Sequence, residues 1–192
     1  MDLSQPDLFQ ACPALPEGFR YQPDFLTAAE EHDLVERFAD LPFKEFEFRS
    51  YRGNRRVLSF GWQYDFNRME LQQTEDMPDF LLPLRERAAR FAGLEAPDLQ
   101  HVLLTEYAAS AGIGWHKDKP MFAEVVGISL GSPCVFRFRR KEGSKWERAS
   151  LVAEPRSTYL LQGPSRTEWE HSIPAVDRLR YSITFRNLKS SD

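Results

Sequence analysis

The chain has 192 residues and a net charge of −4, and 42% of its residues are hydrophobic. This length suits one domain with a sizeable core, and the hydrophobic content excludes a disordered chain. No apolar run reaches the length of a membrane span, and the first ten residues lack the basic and apolar regions of a signal peptide. Cys12 and Cys134 stand at no metal or disulfide spacing and fit a reducing compartment. We therefore expect a cytoplasmic protein without membrane contact.

The first half of the chain predicts an irregular arm followed by helices and a β-rich segment. Residues 1–22 are rich in proline and predict a poorly ordered N-terminal arm. A capping-box pattern at Thr27 predicts an amphipathic helix that runs to about Ala39. The aromatic-rich stretch 43–66 is typical of strands and loops, and a second helix is predicted over 78–92.

From residue 100 onward the sequence changes to short β-rich runs separated by glycine and proline turns. The predicted strands are His101–Tyr107, Val125–Leu130, Cys134–Arg140, Ala149–Val152, Thr158–Gln162 and Tyr181–Phe185. Many short strands at this spacing are typical of a sandwich or a jelly roll. The chain therefore predicts an α/β part that leads into a β-rich barrel without an obvious linker.

His116 and Asp118, separated by Lys117, and the distant His171 form a metal-binding pattern. Two imidazoles and one carboxylate can cover one face of Fe(II) and leave other positions open for a cosubstrate and O₂. In an extended segment, residues two apart point to the same face, roughly 6.6–7 Å apart at the Cα, so His116 and Asp118 can converge on one ion. His171 would then arrive from a neighbouring strand. Because His-x-Asp also occurs by chance, the pattern alone is a hypothesis.

Residues 180–186, Arg-Tyr-Ser-Ile-Thr-Phe-Arg, predict a strand with an apolar face and a polar face that carries Arg180 and Arg186. A strand buried on one face and solvated on the other would alternate in the same way. Arginine is suited to a bidentate grip on a carboxylate in a dry site, which an Fe(II) enzyme of this type needs for 2-oxoglutarate. The two arginines stand roughly 20 Å apart along a strand. We therefore expect Arg180 to hold the distal carboxylate and Arg186 to lie nearer the metal-binding end.

In its ordered motifs from His101 to Leu188, the chain resembles the AlkB family of Fe(II)- and 2-oxoglutarate-dependent dioxygenases. The motifs are Leu104-Thr-Glu-Tyr107, the segment from Gly112 to Asp118, Val126-Gly-Ile-Ser-Leu-Gly131, Leu161-Gln-Gly-Pro-Ser-Arg166, His171 and the 180–186 strand. The run 55–64 sits where the family has its substrate lid. The resemblance implies an α+β domain over 23–192. Its double-stranded β-helix (jelly-roll) core would span 100–192, and N-terminal helices and a β-rich lid would occupy 23–99.

The resemblance also implies which residues bind iron and cosubstrate. The iron ligands would be His116, Asp118 and His171. The 2-oxoglutarate residues would be Tyr107, Arg180 and Arg186, with Arg186 supporting the same end of the pocket as Arg180.

Two positions depart from the family pattern. Thr105 stands where the family usually has Asn, and its hydroxyl can still hydrogen-bond to the cosubstrate. Repair members often carry an acidic residue two positions after the ligand Asp, placed to read the amino edge of the base. Here that position is Pro120, which offers neither charge nor donor.

The implied function is oxidative demethylation of N-alkylated nucleobases in DNA or RNA, as in alkylation repair, with release of formaldehyde, succinate and CO₂. It would require Fe(II), 2-oxoglutarate and O₂, and the partner would be methylated nucleic acid, single-stranded DNA or RNA, bound by a monomer. Pro120, Thr105 and the acidic net charge leave open a tRNA-modifying or protein-directed 2-oxoglutarate oxygenase. A non-catalytic nucleic-acid-binding homologue is a further alternative, against which the presence of all three ligands argues.

Aromatic and basic side chains supply candidates for substrate contact. The stacking candidates are Phe60, Trp62, Tyr64 and Trp169, of which Trp169 lies two residues before His171. The phosphate candidates are Arg52, Arg55, Arg56, Arg137 and Arg139, since local basic clusters can bind phosphates inside an acidic protein. Core packing of the aromatics and solvation of the arginines are the alternatives.

Overall fold

The computed structural model describes residues 14–48, 51–65 and 70–189. These residues form thirteen strands, three α-helices and two short 3₁₀ helices, over Asp79–Leu81 and Ala96–Asp98. The first half contains β1 (Phe19–Gln22), α1 (Ala28–Ala39), β2 (Lys44–Phe48), β3 (Tyr51–Phe60), β4 (Trp62–Asp65), β5 (Glu70–Gln73) and α2 (Leu82–Ala92). The second half contains β6 (His101–Tyr107), β7 (Ile113–His116), β8 (Phe122–Leu130), β9 (Cys134–Glu142), β10 (Lys145–Ala153), β11 (Thr158–Leu161), α3 (Gly163–Thr167), β12 (Glu170–Ile173) and β13 (Arg180–Leu188). Within the described ranges, no helix is long and apolar enough to cross a membrane.

Two antiparallel sheets form the body of the domain. The large sheet has the strand order β1-β11-β8-β13-β6-β3-β2, and the small sheet has the order β10-β9-β12-β7. Side chains from both sheets meet in one buried cluster that includes Val125 and Tyr159 from the large sheet and Phe136 and Phe138 from the small one. This two-sheet arrangement is the predicted jelly roll, and the cavity described below opens within it.

The two predicted helices cover the outer face of the large sheet. Helix α1 begins at the predicted capping box, where the Thr27 hydroxyl accepts from the Glu30 amide at 3.2 Å and the Glu30 carboxylate accepts from the Thr27 amide at 2.7 Å. Its Phe38 is 2% exposed and packs on Tyr181 of β13, with the ring centroids 5.5 Å apart. Burial of such a side chain stabilises the fold by about 2–3 kcal/mol. Helix α2 ends at Ala92, and Gly93 caps it in the left-handed conformation.

Strand β13 runs through the middle of the large sheet and alternates as its sequence predicts. Its apolar side chains Tyr181, Ile183 and Phe185 belong to the core beneath the helices. Ser182, Thr184 and Arg186 point to the opposite face, where they line the cavity between the sheets. The alternation therefore separates core from site along a single strand.

The predicted N-terminal arm is wrong in its last residues, because Phe19–Gln22 pairs with β11 as an edge strand of the large sheet. The Phe19 ring packs edge-on against Phe138 at 4.9 Å, and the Tyr21 hydroxyl accepts from the Glu154 amide. The prolines of this segment favoured the prediction of an irregular arm, and the strand of four residues was therefore missed. Residues 1–13 lie outside the described part of the chain.

The predicted lid is divided between two sheets. Strands β2 and β3 extend the large sheet beside β6, whereas β4 and β5 form a separate two-stranded sheet. Gly61 makes the turn between β3 and β4 with a φ of 77°, and a Cβ there would collide with the Gln100 carbonyl oxygen.

Candidate active site

His116, Asp118 and His171 come together at one end of the small sheet. His116 is the last residue of β7, and its Cα is paired with that of His171 on β12. The two imidazole rings pack against each other with centroids 4.2 Å apart. Asp118 follows β7, and its Oδ2 lies 3.7 Å from His171 Nε2. Strand pairing thus supplies the neighbouring-strand histidine that the sequence pattern requires.

Hydrogen bonds orient two of these three side chains. His116 Nδ1 donates to the Gly114 carbonyl oxygen at 2.8 Å, which leaves Nε2 as the basic nitrogen of the ring. Asp118 Oδ1 accepts from Arg186 Nε at 2.9 Å and lies 2.8 Å from Arg186 Nη2. Because Arg186 occupies Oδ1, the second carboxylate oxygen is the one turned towards His171.

Burial and the neighbouring charges favour the protonation states that a divalent cation needs. Burial, followed by the nearby His116, lowers the pKa of His171 to about 3, and burial also lowers the pKa of His116. Burial opposes ionisation of Asp118, but Arg186 and the two histidines outweigh it and hold the pKa of this carboxyl below its ordinary range. The group therefore presents two neutral imidazoles and one carboxylate, which can bind a metal without first losing protons.

The donor set fits iron by its chemistry, whereas the side chains are packed together rather than spread around an ion. Among the described residues, no three His, Cys, Asp or Glu side chains are arranged so as to hold one metal. The contact between the two histidine rings accounts for this, since an ion would have to enter between groups that now touch.

A cavity of about 1140 Å³ opens beside the three residues, and its wall includes all of them. It is also lined by Thr105 and Tyr107 of β6, which the sequence predicts as cosubstrate residues. The volume slightly exceeds the range of about 300–1,000 Å³ that is typical of small-molecule sites. The cavity is therefore large enough for a dicarboxylate together with a second, bulkier group.

Arg186 lies at the metal-binding end of β13, as the strand spacing predicts. The resemblance placed it at the same end of the pocket as Arg180, and this assignment is wrong because five residues of extended chain lie between the two arginines. Besides Asp118, Arg186 contacts His101, whose Nδ1 lies 3.4 Å from Nη1. Burial, followed by the charge of Arg186, holds the pKa of His101 well below its ordinary value. The neutral ring can thus accept from the guanidinium.

Arg180 lies at the other end of β13, fully buried and without a counter-ion in the described structure. Its Nε, Nη1 and Nη2 are all inaccessible and have no hydrogen-bond partner. The guanidinium lies over the ring of Tyr107, 4.9 Å from its centroid, and does not itself line the cavity. The nearby Cys134 is not a counter-ion, because burial raises the pKa of its thiol. A buried, unpaired cation is costly, so this position is suited to an anion from outside the chain.

Tyr159 of β11 is a cavity residue that the sequence did not indicate. Its ring lies 4.7 Å from that of Phe136, and burial raises the pKa of its phenol, which stays protonated. Gly127 makes room for this ring, since a Cβ there would collide with Tyr159. Nothing in the sequence distinguishes Tyr159 from the apolar residues of its strand.

Arg166 is a second residue whose structural role was not predicted from the sequence. Its Nη2 donates to the carbonyl oxygens of Lys119 at 2.6 Å and Phe122 at 2.8 Å. These bonds tie helix α3 to the segment that follows Asp118. The sequence signal was the turn motif that ends at Arg166, which matched the family without revealing a role.

Several predicted substrate residues lie outside the cavity wall. Strand alternation turns Phe60 into the core beneath the helices and Arg56 towards Glu106, with which it forms two hydrogen bonds. Trp62 is half-buried but does not line the cavity. Trp169 precedes β12, is 3% exposed and packs edge-on against Phe138, so it lies in the inter-sheet core that His171 also faces but does not line the cavity. Phe60 and Trp169 therefore have packing roles and Arg56 an ion-pair role, whereas substrate contact by Trp62 stays a prediction.

Among the predicted substrate residues whose side chains the structure describes, only Arg55 lines the cavity. Its guanidinium lies 4.1 Å from the ring centroid of Phe46, which also lines the cavity. The wall further includes Trp115, a residue that the sequence did not single out. The side chains of Tyr64 and Arg52 lie outside the described part of the chain.

The comparisons with known proteins agree with this fold. The sequence profile described as "2OG-Fe(II) oxygenase superfamily" matches residues 18–186. The chain belongs to this superfamily. It is 27% identical to the "Alkylated DNA repair protein ALKBH8 homolog" of Arabidopsis thaliana over 198 residues, covering 88% of this chain and 55% of that protein. It is also 27% identical to the "Probable RNA/DNA demethylase ALKBH6" of Danio rerio over 173 residues, covering 84% of this chain and 71% of that protein.

The solved structure of OsALKBH1 has the same fold. It superposes with a TM-score of 0.69 at 19% identity, over 91% of this chain and 98% of that one. The predicted family, the jelly-roll fold class, the oxygenase class and the dependence on Fe(II), 2-oxoglutarate and O₂ are thereby confirmed at the level of the superfamily. Since the chain spans about half the length of the Arabidopsis relative, the reaction of the whole protein is a matter for proposal.

Proposed function

We propose that this oxygenase removes N-linked alkyl groups from nucleobases in single-stranded DNA or RNA by oxidation. One observation carries the proposal: the cavity wall combines His116, Asp118 and His171 with the aromatic and basic side chains of Phe46 and Arg55. The names of two relatives, one a DNA repair protein and one a probable RNA/DNA demethylase, support it. Cytoplasmic localisation and a monomeric state remain parts of the proposal.

In this reading, His116, Asp118 and His171 would hold the iron. When bound, iron with 2-oxoglutarate and O₂ supplies the oxidation of a C–H bond, and succinate, CO₂ and, from an N-methyl group, formaldehyde are the products. The protein's own part is to orient the groups and exclude water. Gly114 fixes the His116 ring, and Arg186 keeps Asp118 ionised with one oxygen turned towards His171.

Arg180 and Tyr107 would bind the distal carboxylate of 2-oxoglutarate. The guanidinium has three buried nitrogens without partners in the described structure, and it lies 4.9 Å from the ring centroid of Tyr107, which lines the cavity. A carboxylate that replaces no existing partner keeps the full value of a charge-assisted hydrogen bond, about 1.5–3 kcal/mol. Thr105, opposite Ser182 in the pairing of β6 with β13, would contribute a hydroxyl to the same wall.

Glu75 would supply the acidic group that Pro120 lacks. It follows β5 and lines the cavity, whereas Pro120 is exposed and does not. A carboxylate can accept from the exocyclic amino group of adenine or cytosine, which gives the site a means of reading the base. The aromatic surface of Phe46 and the charge of Arg55 would hold the base and a neighbouring phosphate.

The test is formaldehyde and succinate release from methylated oligonucleotides, single-stranded against duplex and DNA against RNA. We expect Glu75→Gln to lower kcat/KM for a methylated adenine or cytosine substrate by about tenfold, the loss of one specific base contact. Asp76→Asn is the matched control, because Asp76 is the adjacent acid, is exposed and does not line the cavity.

Pro120 favours a second candidate, a tRNA-modifying or protein-directed oxygenase with the same iron centre. If wild-type protein decarboxylates 2-oxoglutarate but releases no formaldehyde from any methylated oligonucleotide, the demethylase proposal is rejected in its favour. If no succinate forms in the presence of Fe(II) with any substrate, the non-catalytic alternative is supported instead.

A further inference from the structure

The outward face of the small sheet carries tryptophan and arginine side chains that the proposed reaction does not use. We define the tryptophan–arginine face by its five members: Trp115 of β7, Arg137 and Arg139 of β9, and Trp146 and Arg148 of β10. Strand alternation turns these residues away from the inter-sheet core, which takes Phe136 and Phe138 instead. Trp146 is 42% exposed, so a large aromatic surface faces solvent.

Arginines and tryptophans of this face are stacked on one another. The Arg139 guanidinium lies 4.5 Å from the ring centroid of Trp115 and 4.5 Å from that of Trp146. Arg137 lies 5.0 Å from the ring centroid of Trp115 on the same side of the sheet. Such cation–π contacts hold long side chains in place, so the guanidiniums are ordered before any ligand arrives.

The charge of the face is only partly neutralised within the described structure. Arg139 Nε donates to Glu170 at 2.5 Å, and Arg137 Nε donates to the uncharged Ser172 hydroxyl at 3.1 Å. Arg148 is exposed and directly opposite Arg139 in the pairing of β9 with β10. Like charges directly opposite each other destabilise a sheet. No described carboxylate is paired with Arg137 or Arg148, so an external anion would relieve this repulsion.

Trp115 connects this face to the active site. Its ring contacts Arg137 and Arg139 on the face, and Trp115 also lines the cavity. It directly precedes His116, at the edge strand of the small sheet. A flexible polyanion with one unit in the cavity could therefore continue over the edge of the sheet and onto the exposed arginines.

We propose that the tryptophan–arginine face binds the nucleic-acid strand that flanks the modified nucleotide, through phosphate contacts to Arg137 and Arg148 and base stacking on Trp146. This inference rests on the proposed function. Stacked aromatic surface next to unpaired guanidiniums matches a single strand, which exposes both base faces and phosphates. An acidic peptide would use the charges but not the aromatic surface of Trp146.

The experiment compares a methylated trinucleotide with a methylated strand of about 12 nucleotides, a length within the usual range of single-strand sites. We expect Arg148→Glu and Trp146→Ala each to weaken binding of the longer strand by about fivefold or more and to leave binding of the trinucleotide as in the wild type. For Arg148→Glu, the slope of log affinity against log salt should also fall by about 0.7, the value of one phosphate contact on a single strand. Fluorescence anisotropy of labelled strands gives both quantities.

Two exposed residues elsewhere provide matched controls. Arg90→Glu reverses an exposed charge on α2, the helix that covers the large sheet rather than the small one. Leu179→Ala removes an exposed apolar side chain. Both should bind the long and the short strand as the wild type does, and thermal unfolding of all variants verifies that they fold.

Three results would overturn the inference. Wild-type affinity of both test variants for the longer strand means that the face is not a binding surface. Equal weakening for both lengths means that the changes act on the cavity or on the fold. If the wild-type chain itself binds neither methylated strand, the proposed function fails as well. This failure can be distinguished from failure of the inference alone because it is seen in the wild type, without any variant.

Discussion

Arg180 and Arg186 lie towards opposite ends of one polar strand face, and little of either side chain is exposed, yet they have opposite surroundings. Arg186 binds Asp118 through two nitrogens, with side chains 11% and 7% exposed. Arg180 is completely buried and has no partner for any of its three nitrogens among the described residues. The guanidinium of Arg186 therefore has a carboxylate partner, whereas the guanidinium of Arg180, on the same strand, has none in the described structure.

This difference indicates that the two ends of strand β13 have different roles. A buried ion pair that is already formed holds two side chains in one arrangement, which is what the proposed iron ligand Asp118 requires. A buried cation without a partner lowers stability and remains available to a ligand. We therefore propose that the metal end of the site is prebuilt by the chain, whereas the Arg180 end is completed by the cosubstrate.

The largest effect is expected at the prebuilt end. Asp118→Ala removes a proposed iron ligand and leaves the buried Arg186 without its carboxylate. We expect no measurable succinate release, no iron after desalting, and a loss of about 3–5 kcal/mol in the free energy of unfolding. Metal analysis and urea unfolding of the metal-free protein measure the last two.

His116→Ala is the companion variant that separates these effects. It removes a proposed ligand but leaves the pair between Asp118 and Arg186 intact. It should therefore lose iron and activity with a much smaller loss of stability. Retention of iron in either variant would contradict the ligand assignment.

The next prediction compares the two arginines directly. Methionine approximates the length of arginine without its charge, so Arg186→Met leaves Asp118 unpaired and should lower the free energy of unfolding by about 3–5 kcal/mol. Arg180→Met removes an unpaired buried cation and should raise it by about 1–4 kcal/mol. Urea unfolding without metal or 2-oxoglutarate measures both. If both variants change the free energy of unfolding in the same direction, the proposed difference between the Arg180 and Arg186 ends of the strand is contradicted.

Ligand binding provides the second half of this comparison. With Zn²⁺ in place of iron, 2-oxoglutarate should raise the unfolding midpoint of the wild type and fail to do so for Arg180→Met. In turnover assays, Arg180→Met should raise KM for 2-oxoglutarate by about tenfold to a hundredfold, the value of a charge-assisted hydrogen bond. Wild-type cosubstrate binding by this variant would exclude Arg180 from the pocket.

The fold was predictable from the sequence where a pattern within a few residues is enough to determine the structural element that they form. The capping box at Thr27 and the alternation of residues 180–186 each follow from rules that span a few residues, and the structure confirms both. The strand at Phe19 was missed because four residues carry too little periodicity to outweigh nearby prolines. Its partner, β11, lies far along the chain, so only tertiary pairing creates it.

The site was predictable to the extent that chemistry restricts residue types. Two imidazoles and a carboxylate have few alternatives, and the structure brings His116, Asp118 and His171 together. Stacking residues were predicted poorly, since aromatic side chains serve the core equally well, and Phe60 and Trp169 do so. Trp115 and Tyr159 were missed because their position in the wall depends on strand pairing rather than on a motif.

The smallest predicted effect concerns Thr105, which is 4% exposed and lines the cavity on the strand that carries Tyr107. Thr105→Val keeps the shape of the side chain and removes only its hydroxyl. If this hydroxyl contacts the cosubstrate, KM for 2-oxoglutarate should rise about threefold, because one neutral hydrogen bond contributes about 0.5–1.5 kcal/mol. Thr184→Val, on the neighbouring strand β13, is the control for loss of a hydroxyl elsewhere in the wall. An unchanged KM for Thr105→Val would mean that this hydroxyl does not contact the cosubstrate and would leave Arg180 and Tyr107 as the proposed contacts.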